Sequence, residues 1–193
     1  MVLTELAWDE DEQARRLHLL VVDASASMRG EREVFARGLT VALSKKLQVA
    51  GEEVRVRFFD SRLYDAPGSL ERGHLPAAWL LSFKGERGRN PARVFAQLAT
   101  DLALLRTRDA RDPVVHVITH AALHVPRPLV QEVRRLAHLF GVFILPSGGA
   151  LDLEWLDLLE GHAVVDHATL AARGARRRRA SSRRPRASMA PAP

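Results

Sequence analysis

Apolar positions along the chain fall into runs of two kinds, and their periods predict the elements. Leu19-Leu20-Val21-Val22 is unbroken and half β-branched, the mark of a strand buried on both faces, so a first strand is expected over about 17–22. Val114-Val-His-Val-Ile-Thr, stopping at His120, and Val142-Phe-Ile-Leu-Pro read the same way. Val54 to Phe59 instead alternates apolar with basic residues, as a strand nearer a sheet edge does, and Leu63 and Tyr64 suit a short edge strand. Between these runs the spacing changes to three and four. Phe35, Leu39, Ala42, Leu43 and Leu47 mark a helix over about 31–50 ended by Gly51. Val94, Phe95, Leu98, Leu102 and Leu105 mark a second, with Asn90 as its cap and Pro91 in its first turn. Leu129, Val133, Leu136 and Phe140 mark a third, terminated by Gly141. Shorter helices are expected at Leu75–Phe83 and at about Leu151–Glu160, with a last strand at Ala163–His167. Strands that alternate with helices predict an α/β fold, a doubly wound, mainly parallel sheet flanked by helices.

Composition changes this picture little, because 47% apolar and 27% charged residues in 193 suit one domain with a proper core. The position of the charge matters more than its net value of +6. Residues 171–193 carry eight of the 29 basic residues and no acid, so the remaining 21 face 23 acids. The chain thus divides into an acidic lead over 1–14, a nearly neutral domain over 15–170, and an Arg-rich tail over 171–193 expected to be disordered when unbound. The lead holds Glu5, Asp9, Glu10, Asp11 and Glu12 where a signal peptide needs basic residues before an apolar stretch. No apolar run approaches the roughly 18 residues of a membrane helix, so no membrane span and a cytoplasmic location are expected. The absence of cysteine excludes disulfides, thiolate nucleophiles and zinc–thiolate sites. No Gly-x-x-x-x-Gly-Lys-Ser/Thr or Gly-x-Gly-x-x-Gly supports a nucleotide site, and no Gly-x-Ser-x-Gly supports a serine hydrolase.

Candidate chemistry gathers where the first strand ends. Asp23, Ser25 and Ser27 follow the buried run at alternate positions, which sets one carboxylate and two hydroxyls on one side of a turn. Open α/β sheets place their sites at that edge, and hard oxygen ligands suit Mg²⁺ or Mn²⁺. The plain alternative is a helix cap at Asp23 with serines filling a tight turn. The spacing Asp-x-Ser-x-Ser after a buried strand resembles the metal-ion-dependent adhesion site of von Willebrand factor A (vWA) domains, and the resemblance covers about residues 15–168. It implies a divalent cation that captures an acidic group from a partner. It also implies a threonine from a Gly-Gly-Thr type loop and an aspartate ending a strand like Ile-Thr-Asp-Gly. Here the matching stretches are Arg87-Gly88-Arg89-Asn90 and Val117-Ile118-Thr119-His120-Ala121, so Arg89 stands for the threonine and His120 for the aspartate. A guanidinium repels a divalent cation and would pair with a vacant Asp23, and imidazole is a poor ligand for Mg²⁺. Thr119 or Asn90 offers a substitute oxygen, so the cofactor question stays open, with weak or absent Mg²⁺ and Mn²⁺ binding expected.

His120 has no nucleophile nearby in sequence to activate, and the other histidines lack metal-ligand spacing. Lys84, Arg87 and Arg89 in the loop 84–90, with Arg93 just beyond it, concentrate four positive charges in ten residues, either a solvated surface or an acid-binding rim for a carboxylate or phosphate. Together with the vWA resemblance, this points to a non-enzymatic adaptor. It would dock a protein partner through Asp23 to Ser27 and through Arg87, Arg89, Asn90 and His120. The resemblance to intracellular bacterial vWA proteins makes a MoxR-type AAA+ ATPase the first partner class to try. The alternative is a nucleic-acid-associated protein binding through its basic tail, by charge and without aromatic stacking. A metal-dependent hydrolase is the weaker alternative.

Overall fold

All seven residues of β1, Leu17–Asp23, are buried, and the rest of the molecule is layered on them. The computed structural model describes residues 16–65, 77–86, 88–108, 113–146 and 148–166; the acidic lead, the Arg-rich tail, Arg87 and His167 lie outside these. After β1 come a 3₁₀ turn at Ala26–Met28, α1 (Glu31–Val49), β2 (Glu53–Phe59), β3 (Leu63–Asp65) and α2 (Ala77–Ser82). Then follow α3 (Pro91–Arg108), β4 (Val114–His120), α4 (Arg127–Leu136), β5 (His138–Ile144), a 3₁₀ turn at Leu156–Leu158 and β6 (Gly161–Val165). The six strands lie in the order β3-β2-β1-β4-β5-β6. All neighbours are parallel except β3, which runs antiparallel to β2 at one edge. This is the doubly wound, mainly parallel α/β sheet flanked by helices that the sequence pattern predicts.

Alternation along the strands sends side chains to two cores. Leu17, Leu19, Val21, Val115 and Val117 meet Val94, Phe95, Leu98 and Leu102 of α3, Val130 and Val133 of α4, and Trp155. Leu20, Val22, Val56, Phe58 and Ile118 face α1 and α2. The line that α1 buries most deeply is Ala36, Thr40 and Ser44, with Phe35, Leu39, Leu43 and Leu47 half-buried beside it, while Ala42 is exposed. Small residues at four-residue spacing let that helix lie close to the sheet, and the Thr40 hydroxyl donates to the Ala36 carbonyl at 2.8 Å. Gly51, at φ +83°, ends α1 as expected. Its N–H donates to Gln48 and that of Glu52 to Leu47, so the last turn's carbonyls are met.

Two expectations fail. Gly141 does not terminate a helix: α4 stops at Leu136, and Gly141 sits in mid-β5. Leu136 and Phe140 fit a helical step, but Leu139, Gly141 and Phe143 are buried at a step of two, and pairing of β5 with β4 from His138↔Val114 onward decides for the strand. A Cβ on Gly141 would lie 2.7 Å from the Phe143 ring, so the glycine serves close packing. The helix expected over 151–160 is only the 3₁₀ turn, because Leu153 and Trp155 are buried two apart, as in an extended segment.

At the amino end of the sheet His18 Nδ1 and His116 Nε2 lie 3.0 Å apart, and Phe140 stacks on His116 at 5.6 Å between centroids. Burial pushes His116 down to about 4 and also lowers His18. A histidine whose folded value lies below its unfolded value favours the native state fully above about pH 6.5 and loses that contribution as the pH falls toward 4. For His116 the loss should approach about 3 kcal/mol. Urea titrations of the native chain and of His116→Phe across this range should show a steeper acid decline for the native chain; parallel declines would contradict the assignment.

Candidate functional site

The sheet order makes β1 the strand from which the chain winds in both directions, so the crevice between the carboxyl ends of β1 and β4 is the topological switch point where open α/β sheets bind ligands. Asp23 closes β1, and Thr119 and His120 close β4. The structure therefore brings together residues 96 positions apart. Asp23, only 2% exposed, accepts the Ser25 N–H at Oδ1 (2.8 Å) and the Thr119 hydroxyl at Oδ2 (2.6 Å). His120 Nδ1 accepts the Ala122 N–H at 3.1 Å, which places the proton of a neutral ring on Nε2. That nitrogen lies 3.7 Å from Asp23 Oδ2, beyond hydrogen-bond reach, and among the described residues it has no hydrogen-bond partner. The buried Ser25 hydroxyl likewise has none among them, and Ser27 is half-buried on the 3₁₀ turn.

Burial lowers the pKa of His120 most strongly; Asp23 opposes the shift, and the charges of Arg89, Arg32 and His124 add to it. Positive charge from Arg89 and Arg32, on two neighbouring elements, thus converges on the end of β4.

Arg89 does not pair with Asp23, contrary to the sequence expectation. Its guanidinium is exposed and donates to the Ala122 carbonyl, so one residue, through its C=O and its N–H, holds both Arg89 and the His120 ring. Asn90 caps α3 as expected: its Oδ1 accepts the Arg93 N–H at 3.0 Å, and its own N–H donates to the Asp60 carbonyl at 3.2 Å. Arg87 lies outside the described residues. Thr119 spends its hydroxyl proton on Asp23.

Asp60 is the residue that the sequence argument missed. It follows the buried pair Phe58-Phe59 as Asp23 follows Val21-Val22, and that parallel was the available signal. It is 1% exposed and accepts the Tyr64 hydroxyl at 2.9 Å and the Ser61 hydroxyl at 3.2 Å. A Cβ on Gly85 would lie 2.5 Å from Asp60 Oδ2, and one on Gly88 2.9 Å from Ser61 Cβ. The two loop glycines thus let the charged loop settle on the Asp60 turn, which seats Arg89 and Asn90 beside the crevice.

As arranged, this donor set fits a hard divalent cation poorly. One carboxylate serves the cluster, both its oxygens already accept hydrogen bonds, and no group of three His, Cys, Asp or Glu among the described residues is placed to hold a metal ion.

No family model matches the chain, and no curated protein matches it in sequence. Among solved structures, it is similar to the crystal structure of an aerotolerance-related membrane protein from Bacteroides fragilis NCTC 9343 bearing multiple mutations to serine. The two are 12% identical, the match covers 84% of this chain and 97% of that one, and the TM-score is 0.56. At that identity the likeness is one of fold. Among the described residues no helix is long and apolar enough to cross a membrane.

Proposed function

We propose that this chain is a vWA-type docking domain without enzymatic activity, and that its carboxyl edge captures an acidic group of a partner protein without a resident metal. One observation carries the reading. At the switch point, a satisfied Asp23–Thr119 pair and a His120 ring with an unmet Nε2–H lie beside Arg89, which is held in place by Ala122. The exposed Arg89 cation suits an oxyanion from outside, and a shift of the buried His120 ring would bring its unmet Nε2–H to the same group. The neutral His120 and the Ser25 hydroxyl share no hydrogen bond, so the pairing that activates a serine nucleophile has no support here.

Partners in this proposal are proteins with an accessible carboxylate or phosphate, and the vWA resemblance places MoxR-type AAA+ ATPases first. A cytoplasmic setting belongs to the same proposal. Calorimetric titration of metal-stripped protein with Mg²⁺ and Mn²⁺ tests its metal-free part: no saturable binding tighter than about 1 mM is expected. Micromolar binding that disappears in Asp23→Ala would overturn it. Deleting 171–193 separates docking from the nucleic-acid alternative. A docking edge keeps its partner, whereas a tail-driven binder loses its ligand together with steep salt dependence.

A further inference from the structure

The cations at the carboxyl edge outnumber what the domain itself neutralises. Arg29 follows the 3₁₀ turn, Arg32 lies in the first turn of α1, and Arg93 lies in the first turn of α3. None of the three, nor Arg89, has an ion pair among the described residues. Of the acids nearby, Glu33 pairs with Arg37 and Glu86 with Arg62, Asp23 and Asp60 are buried and accept hydrogen bonds from neutral donors, and Glu31 is exposed. At the opposite end of β1 the Arg16 N–H donates to Glu52 at 2.6 Å, and Glu53 pairs with Arg55 at 2.8 Å. Acid enters there through the sequence: the lead that joins at Arg16 carries the run Asp9-Glu10-Asp11-Glu12 behind Trp8.

We propose that this run docks on the cationic edge of a second copy, giving self-association. The inference rests on the carboxyl edge being the docking face and names one partner for it. Of the two segments flanking the domain, only the lead has the complementary sign, since the tail holds eight arginines and no acid. The lead cannot reach its own edge. Asp9 to Glu12 stand seven to four residues before Arg16, a span of at most about 25 to 14 Å even fully extended. β1 alone is about 23 Å long. It lies inside the sheet with helices on both faces, so the route would also have to round a layer about 10 Å thick. The contact must therefore form between copies. A lead on one end and its receptor on the other make either a head-to-tail array or, with two copies antiparallel and side by side, a reciprocal pair.

Sedimentation velocity on the full chain tests this, with two charge reversals that leave the folded core alone: Asp9→Lys/Glu10→Lys/Asp11→Lys/Glu12→Lys in the lead, and Arg32→Glu/Arg89→Glu at the edge. At about 50 mM salt the native chain should associate with rising concentration, and about 500 mM salt should weaken this at least tenfold, because the contact is exposed and screened. Each reversed chain alone should stay monomeric, and mixing the two should restore association, since each then offers the other a complementary end. A native chain monomeric at about 100 µM in low salt, association untouched by either reversal, or a mixture that stays monomeric would overturn the proposal. Should the native chain stay monomeric while edge reversal still abolishes capture of a foreign partner, self-docking falls and the docking edge stands.

Discussion

Replacing Trp155 by alanine is expected to destabilise the domain by about 3–5 kcal/mol, the range for removing a fully buried large aromatic. The indole is 0% exposed and lies between Phe95, at 6.0 Å between centroids, and Phe143, at 5.9 Å. Its Nε1–H also donates to the Leu123 carbonyl at 3.1 Å, in the segment that leads from the end of β4 into α4. Truncation thus leaves a cavity and an orphaned carbonyl together, two costs that add. Trp155→Phe separates them: it retains most of the ring packing, loses the hydrogen bond, and should cost about 1–3 kcal/mol. Urea unfolding followed by circular dichroism measures both. A Trp155→Ala midpoint close to the native one would mean that this residue does not join β5, α3 and the β4–α4 segment as described.

That tryptophan also shows where sequence patterning ran out. Its segment has enough leucines to resemble a helix, yet Leu153 and Trp155 bury two residues apart, and over so few positions the two periods overlap. Leu136 and Phe140 misled in the same way, because a helix running into a strand offers one apolar residue to both periods and only pairing with β4 shows where the strand begins. Long elements were legible for the converse reason: β1 and β4 carry apolar runs rich in β-branched residues and short enough to be strands, and α3 repeats its three- and four-residue spacing often enough to leave one choice. In the candidate site, Asp23 and His120 were readable because each ends a buried run, which in a parallel sheet means the carboxyl edge. Their relation to Arg89 was not. A guanidinium beside a carboxylate in an alignment suggests a pair, but the Asp23 oxygens are already met by Ser25 and Thr119 over short distances, and Arg89 finds a carbonyl instead. Asp60 stayed hidden in a stretch rich in turn residues, where a structural carboxylate looks like any loop acid.

Capture of an acidic partner should fail when the edge changes sign, and this is the second large effect expected. Arg89 is exposed and, among the described residues, makes a hydrogen bond to a carbonyl and no ion pair, so reversing it together with Arg87 removes two cations and adds two anions at little cost to stability. A ligand carboxylate or phosphate desolvated against the loop should lose about 2–5 kcal/mol of binding, enough to abolish recovery, whereas contact at the rim alone would mainly slow association and show strong salt dependence.

The most direct test is therefore capture of a partner from native lysate in excess EDTA, comparing the wild type with Arg87→Glu/Arg89→Glu of verified fold. The expected result is capture by the wild type that chelator does not diminish and that the double substitution abolishes. Capture that requires added Mg²⁺ or Mn²⁺, or equal recovery by both proteins, would contradict a metal-free docking edge.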